Sequence, residues 1–396
     1  MTQHQLGRRP ARVELGRRLR AAGVLTDDWT AAFEAVDRAL FLPDVMWAHD
    51  MDTRRNQAVD RSADPEGWLR VADSDVPIVT QWDDGTHEGP DPGRVPTSSC
   101  SMPSVVFRML RDLDVADGDR VLEVGTGTGY NAALLAYRLG DGNVTSVEVD
   151  PTVTATARKA LAEAGRHPRV ICGDGLRGWP GGAPYDRIVA TCGTRSVPAA
   201  WPAQTRPGGI VLAPWGTDFT NQDALARLVA AGDGSASGRF TGGVEFMKAR
   251  SQRLVWPRFE EYLPDGFPAE ATVTKTDLSP FSMVPGGPFT AAPFAVGLAV
   301  PDCAHTVQRG DGEALVWFIS LTDRSWAAVR RPAEGDEGTV YQSGARRMWD
   351  EVVAAWRWWD AAGRPGVERF GLTVRADGTH EVWLEADGRR VPVGGG

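Results

Sequence analysis

Cysteine is scarce and dispersed. Cys100, Cys172, Cys192 and Cys303 stand alone, and without a C-x-x-C pair neither a zinc knuckle nor a redox dithiol is supported. The histidines are equally scattered. Cys303-Ala304-His305 is where the two types meet, and it reads as a chance loop pair rather than a metal site. There is no basic surplus: the net charge is -9, so no overall positive field is available to hold nucleic acid. No apolar run approaches the ~18 residues of a membrane span. The arginines at 8, 9, 12, 17, 18 and 20 are not followed by the apolar stretch of an export signal. A soluble, cytoplasmic protein with neither nucleic-acid nor membrane partners is expected. Internal repeats and low-complexity tracts are missing as well.

What is present is an ordinary globular balance, 42% hydrophobic and 24% charged over 396 residues. That length suggests about two or three domains. Residues 12–22 read as a short basic helix whose arginines form a solvated face. Thr26 reads as the N-cap of a second helix, with Asp27 and Asp28 favouring its dipole. Residues 50–96 are polar, rich in glycine and proline, and carry Asp83, Asp84, Glu88 and Asp91. They read as a long loop.

From Pro103 the pattern becomes rhythmic. Short apolar strands at 120–124, 144–149, 170–172, 185–190 and 209–212 alternate with helical stretches at 131–139 and 153–164. Such alternation means a parallel α/β sheet. Residues 225–230 and 243–247 are expected to close it antiparallel. Beyond Arg250 the rhythm is lost, and a helix at 345–361 precedes a hairpin turning at Asp377-Gly378. The expected division is N-terminal helices and acidic loop (1–96), a nucleotide-type core (97–250) and a separate α+β domain (251–396).

The sharpest local signal is Glu123-Val124-Gly125-Thr126-Gly127-Thr128-Gly129-Tyr130, between a strand and a helix. Glycines there permit positive φ and let a ligand lie against bare backbone, and the helix N-terminus suits an anionic group. Tyr130 stands where a dinucleotide fingerprint has its third glycine, which argues against a nucleotide-dependent oxidoreductase. No Lys-Ser/Thr follows, which excludes a phosphate-binding Walker loop. Glu148, with Val149, ends the next strand, where a carboxylate can accept both hydroxyls of a ribose. Asp174 and Gly175 end the third and are placed to reach an adenine amine. The plainer alternative makes Glu148 and Asp174 turn or cap residues.

These residues resemble the first motif of the protein L-isoaspartate O-methyltransferases. Asp37-Arg38-Ala39-Leu40-Phe41-Leu42-Pro43, Thr97-Ser98-Ser99-Cys100-Ser101-Met102-Pro103, Gly173-Asp174-Gly175, Gln204 and Pro207-Gly208-Gly209 match the same family in order. Ser101 takes the position of its active-site serine. The resemblance implies a Rossmann-like class I methyltransferase sheet. It implies S-adenosyl-L-methionine as donor, held by Glu123, Gly125, Thr126, Gly127, Gly129, Tyr130, Glu148, Val149, Asp174 and Gly175. It also implies a peptide carboxylate as acceptor. Methylating an ionised carboxylate needs alignment and desolvation rather than a general base, with Ser99 and Ser101 as hydrogen-bond donors to it. The alternative for these serines is a helix N-cap ahead of Pro103.

The family proper is expected to end near Met247, and this chain runs on to residue 396. That extension, ending in Arg369-Phe370-Gly371-Leu372-Thr373-Val374 and Val382-Trp383-Leu384, resembles methyltransferases encoded with ATP-grasp peptide ligases. The implied substrate is then an Asp side chain in a ribosomally made, crosslinked precursor peptide (a graspetide), with aspartimide or isoaspartate as product. Repair of isoaspartyl protein is the alternative, and a non-catalytic peptide-binding partner of an ATP-grasp ligase is a third reading. Trp349, Val352, Val353, Trp356 and Trp359 share one helix face at three- and four-residue spacing, which reads as buried. Trp358 points off it and is the candidate for the surface.

Overall fold

The computed structural model describes residues 9–268, 270–285, 289–310, 312–332, 337–385 and 389–392; Arg8 lies outside them. At the N-terminus, helices Pro10–Ala21 and Asp27–Ala35 bury Leu15, Leu19, Trp29 and Phe33. Thr26 occupies the N-cap position of the second helix, but its side chain makes no capping bond. Arg17, Arg18 and Arg20 are exposed as expected. Arg12 is not: it is buried against the Asp37 carboxylate at 2.7 Å, and Arg9 bridges Asp37 and Asp73 at 2.7 and 2.6 Å.

The stretch 50–96 is not one long loop. Val45–Asp50 (β1), Arg55–Asp60 (β2), Ile78–Trp82 (β3) and Pro96–Cys100 (β4) form a four-stranded antiparallel sheet in the order β2-β1-β3-β4, and helix Pro65–Ala72 connects β2 to β3. β2 is largely exposed on both faces, so it carries no apolar alternation for sequence periodicity to detect. Trp47, Val79 and Trp82 form a small apolar cluster beneath the sheet, and Met247 packs against it.

The central sheet begins with Val121–Val124 (β5), Val144–Glu148 (β6), Arg169–Cys172 (β7) and Tyr185–Ala190 (β8). It continues with Thr205–Trp215 (β9), Asp223–Ala230 (β10) and Ala236–Val244 (β11). Strands β5 to β9 pair in parallel, and β10 and β11 return antiparallel. β5 and β6 are buried at every position, including the polar Glu123, Thr145, Ser146 and Glu148. The last strand lies earlier than the expected 243–247. Val244 already pairs with Asp223, the first residue of β10, so residues beyond it have no partner on β10 and leave the strand.

The region after residue 250 adds a β-rich domain that also reaches back into the core. Thr272–Thr276 (β12), Cys303–Gly310 (β13), Glu313–Ser320 (β14), Trp326–Pro332 (β15) and Gly338–Ser343 (β16) make a five-stranded antiparallel sheet of their own. Phe370–Val374 (β17), His380–Leu384 (β18) and Arg389–Arg390 (β19), however, extend the central sheet from the edge of β11, giving it ten strands. One apolar core runs from Leu122 through Phe240 and Phe294 to Phe370. Helix Met348–Ala361 contributes Trp349, Val352, Val353 and Trp359 to it. Trp358 is no freer than Trp356: both are half-buried, and the Trp358 ring lies 6.3 Å from Phe370. Cys303 and His305 sit in β13 rather than in a loop. The His305 ring lies 4.9 Å from Phe219, and burial pushes its pKa down to about 4. Among the described residues no group of side chains is arranged to hold a metal, and no helix is long and apolar enough to cross a membrane.

Candidate active site

At the carboxyl edge of β5 and β6 lies a cavity of about 400 Å³. Its floor is the glycine loop, in which Gly125, Gly127 and Gly129 have φ of 96°, 53° and 91°. A Cβ on Gly125 would stand 2.9 Å from Thr191 Oγ1, and one on Gly175 would stand 2.5 Å from Val124 Cγ1, so both positions need bare backbone. Thr126, Gly127 and Tyr130 line the cavity. Burial pushes the Tyr130 phenol up, so it stays neutral.

Glu148 and Val149 line the cavity beside the loop. Glu148 Oε2 accepts from the Gly127 amide at 2.9 Å and Oε1 from the Asp150 amide at 3.1 Å, which fixes the carboxylate across the loop. Each oxygen keeps acceptor capacity. The helix that follows is capped by Asp150 rather than by Glu148. Asp174 and Gly175 line the cavity too, and Asp174 also caps its own turn by accepting from the Leu176 amide at 3.0 Å.

Two residues expected among the binding groups lie elsewhere. Gly129 sits beneath the loop, where a Cβ would meet Leu161 and Ala157. Glu123 is wholly buried, bonded by Asn131 Nδ2 at 2.7 Å and by Ser146 Oγ, which in turn contacts Thr126 Oγ1. Burial pushes the Glu123 carboxyl up to about 7 against those hydrogen bonds. Its place is therefore the scaffold under the loop, because its strand points it inward.

β4 delivers Ser99, and Ser101 follows its end; both are half-buried and face the cavity. Neither is the helix cap. Met102 holds that position, with Pro103 at the first turn. The loop is held by Arg38, whose guanidinium is buried and donates to the carbonyls of Val76, Cys100 and Ser101 at 2.9, 2.9 and 3.0 Å.

Sequence reasoning missed a basic segment of the cavity lining. After β11 the chain crosses the cavity as a strap, residues 246–253, bearing Lys248, Arg250 and Arg253. Backbone bonds tie it to Gly193: the Gly193 amide donates to Met247 O at 2.8 Å, and the Ala249 amide to Gly193 O at 2.9 Å. Lys248 forms a buried ion pair with Asp223. Burial pushes Asp223 up to about 6 and Lys248 down, each partly offset by the other's charge. Arg250 pairs with Asp150 at 2.7 Å and with Asp84 at 3.0 Å. Burial alone would raise the Asp150 carboxyl, but Arg250, the helix amide of Val153 and Gln81 outweigh it and hold it at about 2. The signal in the sequence was the basic spacing at 248, 250 and 253, in a stretch expected to be a strand end. Cys192 also lines the cavity; burial pushes its thiol up to about 12, so it is no nucleophile at neutral pH.

A family model described as Protein-L-isoaspartate(D-aspartate) O-methyltransferase matches residues 92–254. A protein-L-isoaspartate O-methyltransferase of Thermococcus onnurineus is 35% identical over 209 residues, covering 52% of this chain and 93% of its own length. One from Anaeromyxobacter dehalogenans is 46% identical over 136 residues, 33% of this chain and 62% of its own. A solved structure titled protein-L-isoaspartate O-methyltransferase superposes with a TM-score of 0.54 at 21% identity, covering 94% of this chain and 99% of that one. The family model ends at residue 254, close to the expected end near Met247, while the fold shared with this solved structure extends into the C-terminal region.

Proposed function

The chain belongs to the protein-L-isoaspartate O-methyltransferase family, and on that premise we propose that its cavity methylates the free carboxylate of an isoaspartyl residue in a peptide or protein. It is an S-adenosyl-L-methionine-dependent carboxyl O-methyltransferase with a class I fold. The residues present fit that donor. The cavity has ligand size, Gly125, Gly127 and Gly175 line it with bare backbone, and the Glu148 carboxylate supplies fixed acceptors for a ribose.

The donor supplies a methyl group already activated on a sulfonium. The chain's task is then to orient and desolvate the acceptor. The Ser101 hydroxyl, with Ser99 beside it, donates to one carboxylate oxygen and leaves the other free to attack. No base is needed, because the carboxylate is ionised at neutral pH. The carboxylate oxygen takes the methyl, and the sulfonium departs as a neutral thioether. The ester makes the carbonyl more electrophilic, so the following backbone nitrogen attacks it, expels methanol and closes a succinimide. The observation that carries this reading is the meeting of Ser99, Ser101 and Glu148 on one cavity.

A second reading, an Asp side chain in a crosslinked ribosomal peptide made with an ATP-grasp ligase, rests on the resemblance of the terminal hairpin, 369–384. Length no longer argues for it, since a solved relative covers 94% of this chain. Mass spectrometry with the methyl donor separates the two. The isoaspartyl peptide should gain one methyl and then lose methanol; methylation of a crosslinked precursor alone would overturn the repair reading.

A further inference from the structure

Asp84 is a carboxylate held by two arginines that line the cavity, Arg250 and Arg253. Arg253 lines that cavity, and its guanidinium grips Asp84 in a fork: Nη1 to Oδ2 at 2.8 Å and to Oδ1 at 3.1 Å, and Nη2 to Oδ1 at 3.1 Å. This two-toothed geometry is the one in which arginine recognises carboxylates best. The grip is not sealed from water, because the Asp84 side chain is 45% exposed and that of Arg253 26%. A pair of this exposure is held weakly and exchanges readily.

The backbone that presents Asp84 is strained. Asp83 and Asp84 both sit in the left-handed region, with φ of 50° and 53° and no glycine between them. The Asp84 amide is bonded to Thr97 Oγ1 at 3.2 Å, so this turn borders the β4 segment that carries Ser99 and Ser101. The neighbouring Arg250 also touches Asp84, through Nε at 3.0 Å, but differs from Arg253 in having a second carboxylate, Asp150, at 2.7 Å. Release of Asp84 therefore frees the Arg253 fork while leaving the strap tied through Arg250 and Lys248.

We infer that Arg253 reads a second carboxylate on the substrate peptide, on a residue flanking the one methylated, and that Asp84 is its internal placeholder. This rests on the carboxyl-methylation reading above and adds a substrate class to it: peptides with an acidic residue beside the reacting one. The incoming carboxylate displaces Asp84 from the Arg253 fork, and the peptide is anchored on the strap that lines the same cavity as Ser101.

The test uses the full chain, the methyl donor and two isoaspartyl peptides identical except for Asp or Asn next to the isoaspartyl residue. The wild type should show a kcat/KM ratio favouring the acidic peptide by about tenfold, the scale of one charge-assisted contact. Arg253→Gln should bring that ratio towards one, Arg253→Lys should retain part of it, and Asp84→Asn should lower KM for the acidic peptide. Equal rates on both peptides by the wild type, or a ratio unchanged in Arg253→Gln, overturns this inference alone. Methylation of neither peptide overturns the functional reading and this inference with it.

Discussion

The Arg38 guanidinium donates to the Ser101 carbonyl at 3.0 Å from 63 residues away in the chain. It also reaches the carbonyls of Ala72, Ser74, Val76 and Cys100, so one buried cation ties the turn after helix Pro65–Ala72 to the serine loop. Arg38→Gln leaves several of these acceptors unsatisfied in the interior. We expect a loss of about 3 kcal/mol of stability together with a fall in kcat, read by denaturant titration and single-turnover methyl transfer. Arg38→Lys should not restore either, because one ammonium cannot span the fan of carbonyls.

Ser101 and Glu148 line the same cavity, and their variants should separate acceptor from donor. Ser101→Ala should lower kcat by about ten- to a hundredfold, the scale of a hydrogen bond to a charged group, with donor affinity retained. Glu148→Ala should instead weaken donor binding in calorimetry by about tenfold or more. A weakened donor affinity in Ser101→Ala would count against this assignment.

Glu123 makes stability depend on pH. Its folded pKa, raised by burial to about 7 from an ordinary 4.5, means that the folded state binds the extra proton between those values. Stability should therefore fall as pH rises from about 4.5 to about 7 and level off above. Glu123→Gln, which carries no charge at any pH, should flatten that slope in denaturation series across the same window.

Trp358 packs on Phe370. Trp358→Ala should thus cost stability, about 2 kcal/mol for a half-buried aromatic, and lower Tm. The KM for peptide should stay near the wild-type value. A raised KM with Tm unmoved would return this residue to the binding surface.

The glycine loop, the serine loop and the strand-end acids were legible because each is a local event. A strand, a tight turn and the first residues of a helix are chemical neighbours, and their residue types report the backbone they need. Even here locality had a limit. Glu123 lies two residues before Gly125, yet strand alternation turns it into the core, while Glu148 reaches the cavity.

The sequence by itself determined the parallel core, its glycine-loop edge and the serine pair beside it. It did not show that residues 50–96 build a sheet, because β2 buries neither face and leaves no periodic trace. Nor did it show that the C-terminal hairpin completes the sheet of the core, since the pairing of Ala236 with Val374 joins distant segments. Only the tertiary structure brought Arg253 to Asp84, 169 residues apart, and Arg250 to Asp150, 100 residues apart. Charges on exposed loops carry no period, and their partners are chosen by sheet order and register, which exist only once the chain has folded.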